Sequence, residues 1–220
     1  MSELQKLYDK RFQNTGLSKR DAVWKTLCAS YFQRLIPENA TVLDLACGYG
    51  EFINNIRAAK KYGVDLNPDS PTHLNGDVTF FNTPATELQG VPPASVDVVF
   101  TSNFLEHLRS KEDCNTVLGK VLGVLKPGGS MIVMGPNIRY AYAEYWDYYD
   151  HYLPLSHLSL AEGLSLAGFD VERVIPRFLP FTMNNNTPTH PLLVKAYLSL
   201  PIAWKIMGKQ FLVVARKPAK

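Results

Sequence analysis

The chain has 220 residues, with 23 Lys and Arg against 20 Asp and Glu, a formal net charge of +3, and 46% hydrophobic against 20% charged residues. These figures exclude a disordered or collagen-like chain, and the charge excess is too small for a nucleic-acid footprint, so no nucleic-acid partner is expected. Cys28, Cys47 and Cys114 are an odd set without CxxC spacing, which excludes a disulfide framework and a structural zinc site and points to a reducing compartment. At this length one domain spanning 1–220 is expected rather than two.

Residues 1–36 read as a helical N-terminal lid, with Trp24, Leu27, Cys28, Tyr31 and Leu35 on one face and a stop before Pro37. Its first residues mix charges and contain no apolar secretory core, so a cytoplasmic location is expected. Apolar, β-rich runs follow at 41–46, 61–66, 78–81, 96–102, 130–135, 171–175 and 210–215, alternating with helical patterns. Such alternation predicts an α/β fold with a mainly parallel sheet and helices on both faces. The runs 41–46 and 96–102 are nearly continuous in apolar residues, as expected of central strands covered on both sides.

Between the strands, 111–125 places Val117, Leu118, Val121, Leu122 and Leu125 at helical spacing and stops at Lys126-Pro127-Gly128-Gly129. Two segments stand outside the alternation: an aromatic insertion at 137–157, and 178–209, which opens as a polar loop and becomes an apolar helix. Insertions beyond a rigid sheet are where substrate selection usually lives. The stretch 191–208 is broken by Lys195, Pro201 and Lys205 and falls short of a membrane span. With the cations that follow it, it reads as a homodimer face, a lid, or a peripheral contact with an anionic membrane.

The most informative stretch is Asp44-Leu45-Ala46-Cys47-Gly48-Tyr49-Gly50-Glu51, a buried strand running into a Gly-x-Gly turn and then a helix. Gly48 and Gly50 let the backbone approach a ligand, and Asp65 ends the next strand where a ribose can be held. A dinucleotide site would want a small residue at Ile53, and Glu51 puts a carboxylate where a pyrophosphate would sit. A ligand with a ribose but with an ammonium and a sulfonium in place of phosphates suits these charges; S-adenosylmethionine is such a ligand.

Here the chain resembles the class I S-adenosylmethionine-dependent methyltransferases. The resemblance rests on Leu43-Asp44-Leu45-Ala46-Cys47-Gly48-Tyr49-Gly50, on Gly63-Val64-Asp65-Leu66-Asn67, and on 96–108 with its Ser102-Asn103-Phe104-Leu105-Glu106-His107 ending. It continues through Val124-Leu125-Lys126-Pro127-Gly128-Gly129 and Gly135-Pro136-Asn137. It implies a Rossmann-like seven-stranded sheet, six strands parallel and the last, 210–215, antiparallel. It further implies that Asp44, Ala46, Cys47, Gly48 and Gly50 surround the methionine part of the cofactor, and that Asp65, with Leu66 beside it, holds the ribose. Ser102, Asn103 and Phe104 would line the methyl group, and S-adenosylhomocysteine would be the product. Ala46 stands where the family usually has glycine, a change tolerated if its backbone angle is ordinary. Pro84 stands about where an acidic residue often faces the adenine amine, so no adenine contact is assigned.

Methyl transfer is an in-line displacement, so the protein has to position a nucleophile and, for a hydroxyl, take its proton. His107, just past the fourth strand at the carboxyl edge, and His151, in the aromatic and acidic stretch 145–152, are the candidate bases. His73 and His190 lie among loop residues and read as surface positions. The fourth strand ends in Thr101-Ser102-Asn103-Phe104, not in the Asp/Asn-Pro-Pro-aromatic motif of enzymes that methylate exocyclic amines, and no neighbouring carboxylates suggest a magnesium site. The expectation is a metal-independent O-methyltransferase acting on a small molecule or a saccharide. A small-molecule N-methyltransferase and a catalytically silent cofactor-binding module are the alternatives.

Overall fold

The computed structural model describes residues 17–181 and 189–219, so the first part of the expected lid and part of the 178–209 insertion lie outside the described residues. Seven strands form one sheet: β1 (Thr41–Leu45), β2 (Lys60–Asp65), β3 (Val78–Asn82), β4 (Val96–Ser102), β5 (Leu125–Pro136), β6 (Asp170–Ile175) and β7 (Gln210–Arg216). Their order across the sheet is β3-β2-β1-β4-β5-β7-β6. The β1–β2, β1–β4, β2–β3 and β4–β5 pairs are parallel, and β7 runs antiparallel to both β5 and β6. Six strands thus point one way and β7 the other, as the resemblance implies, and β1 and β4 lie in the middle as their apolar runs require.

Alternation along the strands sorts the core into two layers. On β5, Met131 and Val133 enter one layer with Leu43, Leu45 and Val99, covered by Val117, Leu118 and Val121 of α2 (Lys111–Val124) and by Leu160 and Leu164 of α4 (His157–Leu166). Ile132 and Met134 enter the other with Val42, Val98 and Phe100, covered by Trp24, Leu27 and Cys28 of α1 (Leu17–Ser30) and by Phe32 just after it. The rings of Phe52 and Phe100 stack at 3.7 Å in this second layer. The described part of the N-terminal helix is therefore a covering layer of the sheet. It also reaches the glycine loop, where Arg20 pairs with Glu51 at 2.7 Å.

Two helical expectations change. Residues 51–56 form turns, not a helix, with two i to i−4 bonds, from Asn54 N–H to the carbonyl of Gly50 and from Ile56 N–H to that of Phe52. Only 51–59 separate Gly50 from β2; the Asn55 side chain donates to the local carbonyl of Glu51, and that of Asn54 reaches the carbonyl of His73. The apolar tail helix is two short helices, α5 (Pro191–Leu198) and α6 (Pro201–Met207), because Pro201 cannot donate its missing N–H to the preceding turn. Their outer face exposes Leu192, Leu193, Leu200, Ile202, Ile206 and Met207. No helix among the described residues is long and apolar enough to cross a membrane.

Candidate active site

The carboxyl ends of β1, β2 and β4 converge on the glycine loop. The Cys47 N–H donates to the carbonyl of Val64, and the Gly50 N–H to the carbonyl of Cys47 at 2.8 Å. Gly50 has φ +80°, a conformation that strains any L side chain, and a Cβ there would also press on the side-chain ends of Leu74 at 2.5 Å and Asn54 at 2.9 Å, so glycine is favoured. Cys47 turns its sulfur into the sheet toward Gly63, and burial pushes its thiol far up. Its contribution to a ligand site is backbone, not sulfur.

The condition under which alanine is tolerated at Ala46 is not met: its φ is +59°, in the left-handed region. The turn demands that angle whichever residue stands there, and an L side chain in it costs about 1–2 kcal/mol. Ala46→Gly is expected to raise stability by up to ~1 kcal/mol, since glycine's extra unfolded-state freedom takes back part of the gain. Thermal unfolding of the two proteins should show the variant melting a few degrees higher; a lower melting temperature would mean the methyl group packs favourably enough to outweigh the strain.

Asp65, at the end of β2 and 5% exposed, accepts from the N–H of Gly48 at 2.7 Å and of Asn67 at 2.7 Å. Burial pushes its carboxyl up, those amides pull it down, and Glu51 pushes it up again. Asp44 is buried beneath the loop and shifted well upward by burial, then by Glu51 and Asp65. Three carboxylates thus crowd one loop and raise one another's cost of ionisation. A cation bound there relieves that repulsion and a pyrophosphate adds to it. Leu66, beside this polar cradle, is 55% exposed and offers an apolar surface next to a buried carboxylate. Acid, loop amides and apolar platform suit a positively charged nucleoside such as S-adenosylmethionine. Without a helix after Gly50, the charge argument rests on these carboxylates and not on a helix dipole.

Past β4, Asn103 takes φ +49°, and its N–H donates to the carbonyl of Met134, turning the chain over the carboxyl edge of β5. Ser102 and Phe104 are partly buried on either side of it. A 3-10 turn at Leu105–His107 then brings Glu106 inward, 5% exposed, with one oxygen 3.6 Å from where a Cβ of Gly135 would stand.

His107 and His151, from distant parts of the chain, meet here: His107 Nδ1 lies 2.9 Å from the carbonyl of Asp150, and the two imidazole rings are 5.0 Å apart. The carboxylate of Asp150 lies 3.0 Å from the same Nδ1. Both of those groups are acceptors, so Nδ1 carries the proton and Nε2 the lone pair. Burial pulls the imidazole's basicity down, but the Asp150 and Glu106 carboxylates more than offset it, and the net shift is upward. His151 is buried, stacked on Tyr148 at 4.9 Å and flanked by Tyr145 and Phe181. The aromatic insertion contributes α3 (Ile138–Tyr145) and this wall, while Tyr142, Trp146 and Tyr149 remain exposed.

The other histidines do not join them. His157 bonds Asn137 at 2.8 Å, and burial followed by Arg139 pushes it down. His73 and His190 are exposed, as expected. Sequence reasoning missed Glu106 and the orienting role of Asp150. Asp150 adjoins His151 in the chain, but its carboxylate holds His107.

Residues 17–174 match the methyltransferase domain family. The methyltransferase YqeM of Bacillus subtilis is 30% identical over 112 residues, covering 46% of this chain and 44% of YqeM. A similar methyltransferase of Mycobacterium tuberculosis is 28% identical over 107 residues, 44% of this chain and 53% of its own length. The chain spans about half the length of these relatives. Among solved structures, a SAM-dependent methyltransferase from Archaeoglobus fulgidus superposes with a TM-score of 0.67 at 22% identity, over 96% of this chain and 98% of that one. That likeness concerns the fold, while the family match joins fold and glycine loop: the chain belongs to the methyltransferase domain family, as a class I S-adenosylmethionine-dependent member.

Proposed function

We propose that the protein methylates a hydroxyl group of a small molecule or saccharide. In this reading Asp44, Ala46, Cys47, Gly48 and Gly50 hold the methionine part of the cofactor and Asp65 with Leu66 the ribose. Ser102, Asn103 and Phe104 face the methyl group. When bound, S-adenosylmethionine supplies an electrophilic methyl on a sulfonium. The protein's own part is to seat the acceptor against the Tyr148, His151 and Phe181 wall, exclude water, and receive the hydroxyl proton at His107 Nε2. One observation carries the reading: Asp150 fixes His107 through Nδ1 at 3.0 Å and leaves a basic Nε2 beside His151. A fixed, oriented imidazole suits removal of a proton from a hydroxyl.

The test is incubation of the purified protein and S-adenosylmethionine with matched panels of phenols, saccharides and primary amines, with products read by mass spectrometry. Methyl ethers alone are the expected products. Methylamines alone would replace the reading with an N-methyltransferase, and binding of the cofactor without turnover on any acceptor would favour the silent module.

A further inference from the structure

Glu106, His107 and His151 each offer one ligand atom, and those three atoms lie within 4.8 Å of one another. We propose that these side chains form a binding site for a divalent transition-metal cation, at the carboxyl edge of β4 and β5, contrary to the metal independence expected from the sequence.

Four features of the structure support a built site. Two imidazoles and one carboxylate are a ligand set for late first-row divalent ions such as Co²⁺ or Zn²⁺, and not for Mg²⁺ or Ca²⁺, which take oxygen ligands. Asp150 engages His107 Nδ1 through both its carbonyl, at 2.9 Å, and its carboxylate, at 3.0 Å. That is the outer carboxylate that orients a metal-binding histidine, and it directs the lone pair of Nε2 away from Asp150. Glu106 and His151 are both buried, at 5% and 7% exposure, so neither ligand is a freely moving surface chain. The aromatic rings of Tyr145, Tyr148 and Phe181 fix the plane of His151 from several sides.

Three protein ligands leave at least one coordination position open. An acceptor hydroxyl taking that position would be acidified by the cation, its proton passing to solvent. Its oxygen lone pair then forms the C–O bond, the C–S bond breaks, and that electron pair returns to sulfur as a neutral thioether. The cation would thus take over from the His107 imidazole the task of activating the oxygen. This consequence rests on the hydroxyl-methylation reading; the binding site itself does not.

The experiment is titration of metal-stripped protein with Co²⁺, followed by its visible absorption, with Zn²⁺ competition and elemental analysis after dialysis. One equivalent of bound Co²⁺ is expected, displaced by Zn²⁺, with affinity lowered at least tenfold in Glu106→Gln and in His151→Gln, and by about 10–100-fold in Asp150→Asn. Circular dichroism and S-adenosylhomocysteine binding on the same samples identify variants that have not folded. If a ligand variant misfolds, the stoichiometry and Zn²⁺ competition in the unmodified protein decide. Less than stoichiometric binding to the unmodified protein, or equal affinity in folded Glu106→Gln and His151→Gln, overturns the site. Bound Co²⁺ with methylation only of amines keeps the site and overturns the hydroxyl reading, whereas ether formation by protein that binds no Co²⁺ does the reverse.

Discussion

Replacing His107 by alanine is expected to lower turnover by about 10²–10⁴-fold while S-adenosylhomocysteine affinity is retained. The loss corresponds to about 2.7–5.4 kcal/mol of transition-state stabilisation at about 1.36 kcal/mol per decade. Affinity should survive because the glycine loop and Asp65 are held by bonds that do not include His107, such as Gly48 N–H to Asp65 and Cys47 N–H to Val64. The pH profile adds a second reading of the same group. Only the neutral imidazole can accept a proton, so activity falls as pH drops through its pKa. The net effect of burial opposed by Asp150 and Glu106 is upward, which places this acid limb above the pH of an ordinary imidazole. Asp150→Asn removes one of the raising charges and should move the limb to lower pH. Steady-state kinetics on the acceptor, measured across pH for the three proteins stripped of metal, so that His107 Nε2 keeps its lone pair, check both. An unchanged rate in His107→Ala would take the imidazole out of the chemistry.

The second large effect is expected at Asp65. Its carboxylate is buried at the loop, bonded to two backbone amides and close to the other two carboxylates. Asp65→Ala removes the acceptor for the ribose hydroxyls and is expected to weaken cofactor binding by about 1.5–3 kcal/mol, the range for hydrogen bonds to a charged group. It also frees the Gly48 amide that Asp65 holds, so the loop itself loosens. Asp65→Asn separates the two effects: it keeps the shape and one acceptor oxygen but removes the charge. Calorimetric titration with S-adenosylhomocysteine should rank native above asparagine above alanine. Equal affinity in all three would remove Asp65 from the ribose site.

The sheet was legible because its signals are local and redundant. The runs at β1 and β4 are nearly continuous in apolar residues, the alternation along β5 separates two core layers, and α2 ends at Val124, one residue short of its expected end, with Lys126-Pro127-Gly128-Gly129 falling in the first part of β5. The turn at 51–56 was not legible from its glycines. Glu51-Phe52-Ile53 carries a plausible helix start, and the shortness of the connection to β2 only matters once the strand register is known. The left-handed angle at Ala46 was not legible, because nothing in a sequence states a φ angle. The Glu106, His107 and His151 group was half visible. The two histidines could be chosen by chemistry, but a glutamate next to His107 looks like any surface charge until the 3-10 turn carries it inward. Asp150 shows the limit most plainly: it adjoins His151 in the chain, and the fold sets its carboxylate on His107.

The position of β7 has a consequence for how the chain can assemble. It inserts between β5 and β6, and among the described residues it is the sole strand neighbour of β6 in the sheet. While residues 210–216 are still being synthesised or remain detached, Asp170–Ile175 has no ladder to join and the edge of β5 at Met131–Met134 lies open, a row of unpaired amides flanked by apolar side chains. During translation this half of the sheet must therefore wait, and it is the half that a chaperone would have to shield.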